Sequence, residues 1–170
     1  MKKFVLSFVF TLSAISTQAQ DIFAAARTNN VAELKILVTN KVDVNQQNQR
    51  GFTPLILAVY NNNTDATKFL IENGADINAQ DKSGNNALMG AIFKGSKDMV
   101  ALLINEKADV NQVNSNNASS LIFASTFGNA DMVKMLLNAG ADKALKDANG
   151  KTALDHATLQ ENSEVIKLLK

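Results

Sequence analysis

The sequence repeats itself every 33 residues, and that period limits the fold more than any other feature. Gly51, Gly84, Asn117 and Gly150 hold one column. Leu55, Leu88, Leu121 and Leu154 hold a second, with Ile22 one period earlier. Ala25, Ala58, Ala91, Ala124 and Ala157 form a third, and Leu37, Leu70, Leu103, Leu136 and Leu169 a fourth. Asp43, Asp76, Asp109 and Asp142 close the period. Several columns keeping one register point to copies of a single supersecondary unit. Such units bury their apolar faces against neighbouring copies, so the chain reads as one stack with a continuous core. It has no linker and no low-complexity tail.

Each copy reads as two short helices and a turn-rich connection. Thr53, Asn86, Ser119 and Thr152 precede an apolar segment, and their side chains can cap a helix N-terminus. Pro54 follows at the first helical position, where its missing N–H costs nothing. Asn29, Asn62, Gly95 and Gly128 tolerate the left-handed backbone of a helix stop. Asn30, Asn63, Ser96, Asn129 and Asn162 come next and are expected to cap the second helix. Asp65, Asp98, Asp131 and Glu164 fall in its first turn, where negative charge suits the helix dipole. Gly74 and Gly140 stop that helix, and Lys41 and Lys107 stand in their place in two copies. Asp-Ile-Asn or Asp-Val-Asn then opens an extended, hairpin-like loop.

On these residues the chain resembles the ankyrin repeat family. Gly51-Phe52-Thr53-Pro54-Leu55, Ala58, Phe69-Leu70-Ile71 and Asn73-Gly74-Ala75-Asp76-Ile77-Asn78 match its motif, and the period agrees. The resemblance covers residues 20–170, in copies at about 20–47, 48–80, 81–113, 114–146 and 147–170. It implies an all-α repeat solenoid, an ankyrin-type stack of helix-turn-helix units with hairpin-like loops. Ile56, Met89 and Ile122 depart from the pattern, standing where the family usually has a His that bonds the neighbouring loop. In the last copy Lys170 replaces the apolar residue found at Ile71, Ile104 and Leu137, as suits the polar outer face of a stack end.

The first residues have a different character. Lys2 and Lys3 precede a largely apolar run from Phe4 to Ile15, and Thr17-Gln18-Ala19 places small residues where a signal peptidase reads. This is the layout of a secretory signal peptide, residues 1–19, with cleavage expected after Ala19. The apolar run is shorter than the roughly 20 residues of a membrane-spanning helix. A soluble product, periplasmic or secreted, is therefore expected, with no membrane insertion after cleavage. The short signal and a mature chain without disulfides fit a bacterial source. Cleavage would leave the first copy without its loop, starting at its first helix as a cap.

Composition then excludes most chemistry. The chain has no Cys and one His, which removes disulfides, thiolate metal sites, a Cys nucleophile and any multi-histidine site. The formal charge is +1; without Lys2 and Lys3 it becomes −1, from 15 basic against 16 acidic residues. Neither value suits a nucleic-acid binder. His156 adjoins Asp155, but neighbouring helical residues do not face each other, so this is not a catalytic pair. Asp76-Ile77-Asn78 and Asp109-Val110-Asn111 offer alternating oxygens but lack the remaining ligands of a calcium loop. A side chain bonding its own turn explains them. No catalytic residue, metal or cofactor is expected.

Binding remains. The resemblance implies contact through a concave face of loop tips and first helices. By repeat position that face presents Gln49, Arg50, Phe52, Tyr60 and Asn61; Lys82, Ser83, Asn85, Phe93 and Lys94; and Ser115, Asn116, Thr126 and Phe127. Arg50, Phe52, Tyr60, Lys82, Asn85, Phe93, Lys94, Asn116, Thr126 and Phe127 are the candidate binding residues, with the aromatic and basic character of interface anchors. Phe93 and Phe127 could instead pack between neighbouring first helices, and Phe127 is one position out of register. The expected function is a non-catalytic, exported protein-binding module, a monomer on its own, acting on a protein partner. An immunity or inhibitor protein for an exported effector is the alternative of the same kind. An enzyme would need a convergent polar cluster, and a scaffold without a dedicated partner would show a featureless concave face.

Overall fold

The computed structural model describes residues 22–127 and 129–170. The expected signal at 1–19, its cleavage point after Ala19, and the expected helix stop at Gly128 lie outside these residues.

The described residues form ten helices in five hairpins: α1 (22–27) with α2 (Val31–Thr39), α3 (Pro54–Tyr60) with α4 (Thr64–Glu72), α5 (Ala87–Phe93) with α6 (Lys97–Asn105), α7 (Ser120–Thr126) with α8 (Ala130–Asn138), and α9 (Ala153–Leu159) with α10 (Ser163–Leu169). None of the nine helices from α2 to α10 exceeds nine residues. Helices this short are marginal alone in water, so packing must hold them. The first helices α3, α5, α7 and α9 pack in a row, and α8 of the outer layer packs on both α6 and α10. The architecture is an all-α repeat solenoid.

The repeated columns form its core. Leu55, Leu88 and Leu121 are buried, as are Leu70, Leu103 and Leu136. Ala58, Ala91, Ala124 and Ala157 are fully buried, small enough to let neighbouring helices approach closely. Leu154, in the last described copy, is only half-buried. The positions departing from the family His are buried too: Ile56, Met89 and Ile122 replace a polar loop contact by apolar packing.

The stops behave as their residue types require. Asn29, Asn62 and Gly95 carry φ of 56°, 58° and 70°, and Glu161 takes the same role in the last copy at 54°. Lys41 and Lys107 are left-handed at 64° and 67°, matching Gly74 and Gly140. Thr53, Asn86, Ser119 and Thr152 each accept the backbone N–H expected of an N-cap, from Ile56, Met89, Ile122 and Asp155.

The second-helix caps follow expectation only in part. Asn30, Asn129 and Asn162 cap their own helices. Asn63 and Ser96 do not. Asn63 Nδ2 instead donates to the carbonyls of Ala26 and Arg27 in the preceding copy, at 2.9 and 2.8 Å. The start of α4 is served by Asn29 of that copy, whose Oδ1 accepts the Ala66 N–H at 2.8 Å. Ser96 Oγ donates to Asn62 Oδ1. At these two positions a contact between copies takes the place of the local cap: Asn63 satisfies helix-end carbonyls of the preceding copy, and Ser96 pairs with a side chain of it.

The loops are stitched in the same way. Asp43, Asp76, Asp109 and Asp142 each accept the N–H two residues on, closing an Asx turn. Asn45, Asn78 and Asn111 reach forward to accept the N–H of Asp76, Asp109 and Asp142. The alternating Asp and Asn oxygens that suggested a calcium loop are therefore used on backbone amides.

Candidate functional site

The exposed edge of the stack is built from the hairpin loops and the first helices. Asn48, Asp81, Asn114 and Asp147 open the loop tips, each Oδ1 accepting the N–H groups two and four residues later. Neighbouring tips are joined by one backbone bond apiece: Lys82 N–H to Arg50 O, Ser115 N–H to Ser83 O, and Ala148 N–H to Asn116 O. The backbone of the row is thus held firmly, while the side chains of Arg50, Lys82 and Asn116 remain exposed to solvent.

Between tips and helices runs a groove. Its central cleft has a volume of about 450 Å³ and is bounded by Phe52, Tyr60, Phe93, Phe123 and Phe127, with Leu57 and Met89 behind and Arg50, Asp81 and Asn85 along the loop side. The gap exists because of one residue. Gly90 stands in the column that holds Leu57 one copy earlier and Phe123 one copy later. A Cβ at Gly90 would meet only Tyr60 Cδ2, at 3.9 Å, so the space is open. Gly in a helix interior is less stable than Ala by about 0.5–1 kcal/mol. Gly90→Ala is therefore expected to raise stability by about that amount, measured as an upward shift of the thermal midpoint.

The aromatic wall is both packed and exposed. Tyr60 and Phe93 stack with centroids 6.3 Å apart, and Phe127 meets Phe93 edge-on at 5.3 Å. Yet Tyr60 is 42% exposed, Phe93 52% and Phe127 51%. The rings hold one another in place and still present their faces to solvent. Phe127, one position past the column of Tyr60 and Phe93, returns to the row because its ring also leans on Phe123 at 6.0 Å. Lys94 Nζ lies 4.9 Å from the Tyr60 centroid, a cation–π position.

Other candidates are less free. Phe52 is half-buried against the core. Asn85 Oδ1 accepts from Asn114 Nδ2 at 2.9 Å. Thr126 is half-buried and donates its hydroxyl proton to Ile122 O at 2.8 Å. The groove continues past the central cleft on both sides. A shallower cleft beside Phe23, Arg27 and Gln46–Asn48 shares Arg50, Phe52 and Tyr60 with it. A third cleft of mixed lining, beside Asn114, Asn149 and Asp147, shares Phe123 and Phe127. Gly90, Leu57, Met89 and Phe123 were not among the expected site residues. The break that Gly90 makes in its column is the signal that marks them.

His156 is not paired with Asp155. Its Nε2 lies 2.8 Å from Asp147 Oδ2 and its Nδ1 3.2 Å from Thr126 Oγ1. The backbone N–H of Lys151, then His156, hold the Asp147 carboxyl below the usual carboxylate range. A hydroxyl, an imidazole and a carboxylate in a line have the order of a nucleophile triad. The Thr126 hydroxyl, however, is shared between Ile122 O at 2.8 Å and the imidazole at 3.2 Å, and the ring's tautomer sets which way the longer contact runs. The line ties the last loop to α7 of the preceding copy. Asp155, by contrast, completes the Thr152 capping box.

A family model of ankyrin repeats in three copies matches residues 22–114, and one of ankyrin repeats in many copies matches residues 102–157. No curated protein matches the chain.

Proposed function

We propose that this chain, which belongs to the ankyrin repeat family, is a non-catalytic protein-binding module that works outside the cytoplasm and holds a protein partner in its groove. Ankyrin repeats are generally protein-interaction modules. The observation that carries the reading for this chain is the Tyr60–Phe93–Phe127 row, preorganised by mutual packing and still half-exposed. Rigid aromatic side chains lose little conformational entropy on binding and are the commonest interface anchors.

Export is the second element. In this reading residues 1–19 are a signal peptide, residues 20–170 the repeat domain, and the product works in the periplasm or outside the cell of a bacterium. No described helix is long and apolar enough to cross a membrane. N-terminal sequencing of protein recovered from the exported fraction should begin at Gln20. Recovery with Met1 intact, in the cytoplasm, would remove the export part.

The binding part is tested by affinity capture from a periplasmic extract, comparing the parent with Tyr60→Ala/Phe93→Ala. Both side chains are surface-facing, so the variant should keep its helical circular dichroism while losing captured protein by tenfold or more. Equal capture by both proteins would refute the groove. One dominant, tightly held partner would narrow the reading to an inhibitor of that protein.

A further inference from the structure

We propose that the cleft at Gly90 is a socket for one bulky apolar side chain, aromatic or branched aliphatic, carried on an acidic segment of the partner. This rests on the groove being the protein-binding face. The socket has a defined origin. The copies on either side fill the equivalent space with Leu57 and Phe123, and Gly90 leaves it open. The result is a recess walled by Tyr60 and Phe93, at the centre of the groove rather than its edge. A central recess that a partner side chain can desolvate is where interface energy concentrates.

The sign of the flanking charge follows from the rim. Arg50, Lys82 and Lys94 are exposed, and none forms an ion pair with a described residue. Arg27 extends the same sign along the adjoining cleft. Among the described residues Asp81 is the only carboxylate bounding the socket. Its Oδ1 accepts the N–H groups of Ser83 and Asn85, at 2.8 and 2.9 Å, so part of its charge is already answered. The carboxylates Asp147 and Asp155 lie at the other end of the stack. A partner segment therefore gains by placing Asp or Glu beside its anchor, over the first three copies, where Arg27, Arg50, Lys82 and Lys94 steer it. The overall charge of the chain hides this local field.

The test is selection of random twelve-residue peptides by display on the purified protein, followed by titration of the enriched peptides against variants. Enriched peptides should combine one Phe, Tyr, Trp, Leu or Ile with neighbouring Asp or Glu. Gly90→Leu, which fills the recess, should weaken them by tenfold or more. Arg50→Glu/Lys82→Glu should do the same and flatten the salt dependence. Gly90→Ala serves as the folding control, since it should melt at or above the parent and weaken binding by a smaller factor. Basic peptides, undiminished affinity for Gly90→Leu, no enrichment at all, or self-association of the protein that masks the groove would each overturn the socket. Peptides indifferent to Gly90→Leu but lost to Tyr60→Ala/Phe93→Ala would sink the socket and leave the groove standing. Peptides indifferent to both would sink the two together.

Discussion

Gly84→Ala is expected to cost about 2–5 kcal/mol, whereas Gly150→Ala, the same substitution in the same loop column two copies away, should cost about 1–2 kcal/mol. Both glycines sit at a loop tip with φ of 75°, so the backbone penalty of an L-residue in the left-handed region is common to them. The difference lies in what stacks on the tip. A Cβ at Gly84 would fall 2.5 Å from Ser115 N and 2.9 Å from Ser115 Oγ, inside contact distance of the next loop. It would also push apart the bond from Ser115 N–H to Ser83 O, 3.1 Å in length. At Gly150 nothing lies within 4 Å. Asn117 shows how the column accepts a side chain: its φ is 55°, lower than either glycine, and Ala148 N–H still reaches Asn116 O at 2.8 Å. Gly84→Ala would need that altered turn while keeping Ser115 in place. Urea denaturation of the two variants measures the contrast directly. Equal losses would mean that contact between loop tips adds nothing to the stability of the stack.

Leu103→Ala should cost about 2–5 kcal/mol, the range for a fully buried Leu whose cavity cannot collapse. Leu103 lies in α6 beside Met99 and Val100, all essentially without exposure. Its position in the middle of the stack matters as much as its burial. Stability in a solenoid is approximately a sum of unit and neighbour-interface contributions, and a central copy takes part in two interfaces. Leu169 holds the same column in α10 and is 5% exposed, and among the described residues α10 packs on α9 of its own copy and α8 of one neighbour. Leu169→Ala should therefore lose clearly less. Chemical denaturation of the pair, with amide hydrogen exchange to show which copies open, checks the ranking. A larger loss at Leu169 would mean that the end copy, not the middle, holds the stack together.

The pattern of agreement has a physical basis. Caps at Thr53, Asn86, Ser119 and Thr152 were legible because an N-cap bond joins residues three apart on one short segment. The left-handed stops were legible at Gly95 and Asn62 because backbone sterics act on a single residue. Glu161 was not, since nothing in a glutamate announces that conformation. Asn63 and Ser96 were misassigned because their partners, Ala26, Arg27 and Asn62, belong to another copy. His156 looked solitary because Asp147 and Thr126 reach it through the loop and the neighbouring helix. Within the candidate site, Tyr60 and Phe93 could be placed by their shared column. Phe127, one residue off that column, was expected on the same face, but only its ring packing against Phe93 and Phe123 accounts for its return to the row.

The sequence by itself determined the period, the helix pairs, the buried Leu and Ala columns and the loop turns. Each depends on spacings within one copy, or on the identity of a column across copies. Only the tertiary structure decided which polar side chains bridge copies, and what a missing side chain leaves behind. Gly90 reads in sequence as a weak point in a helix. Stacked between Tyr60, Phe93 and Phe123, it becomes the opening of a cleft, because an empty position has a shape only when its neighbours surround it.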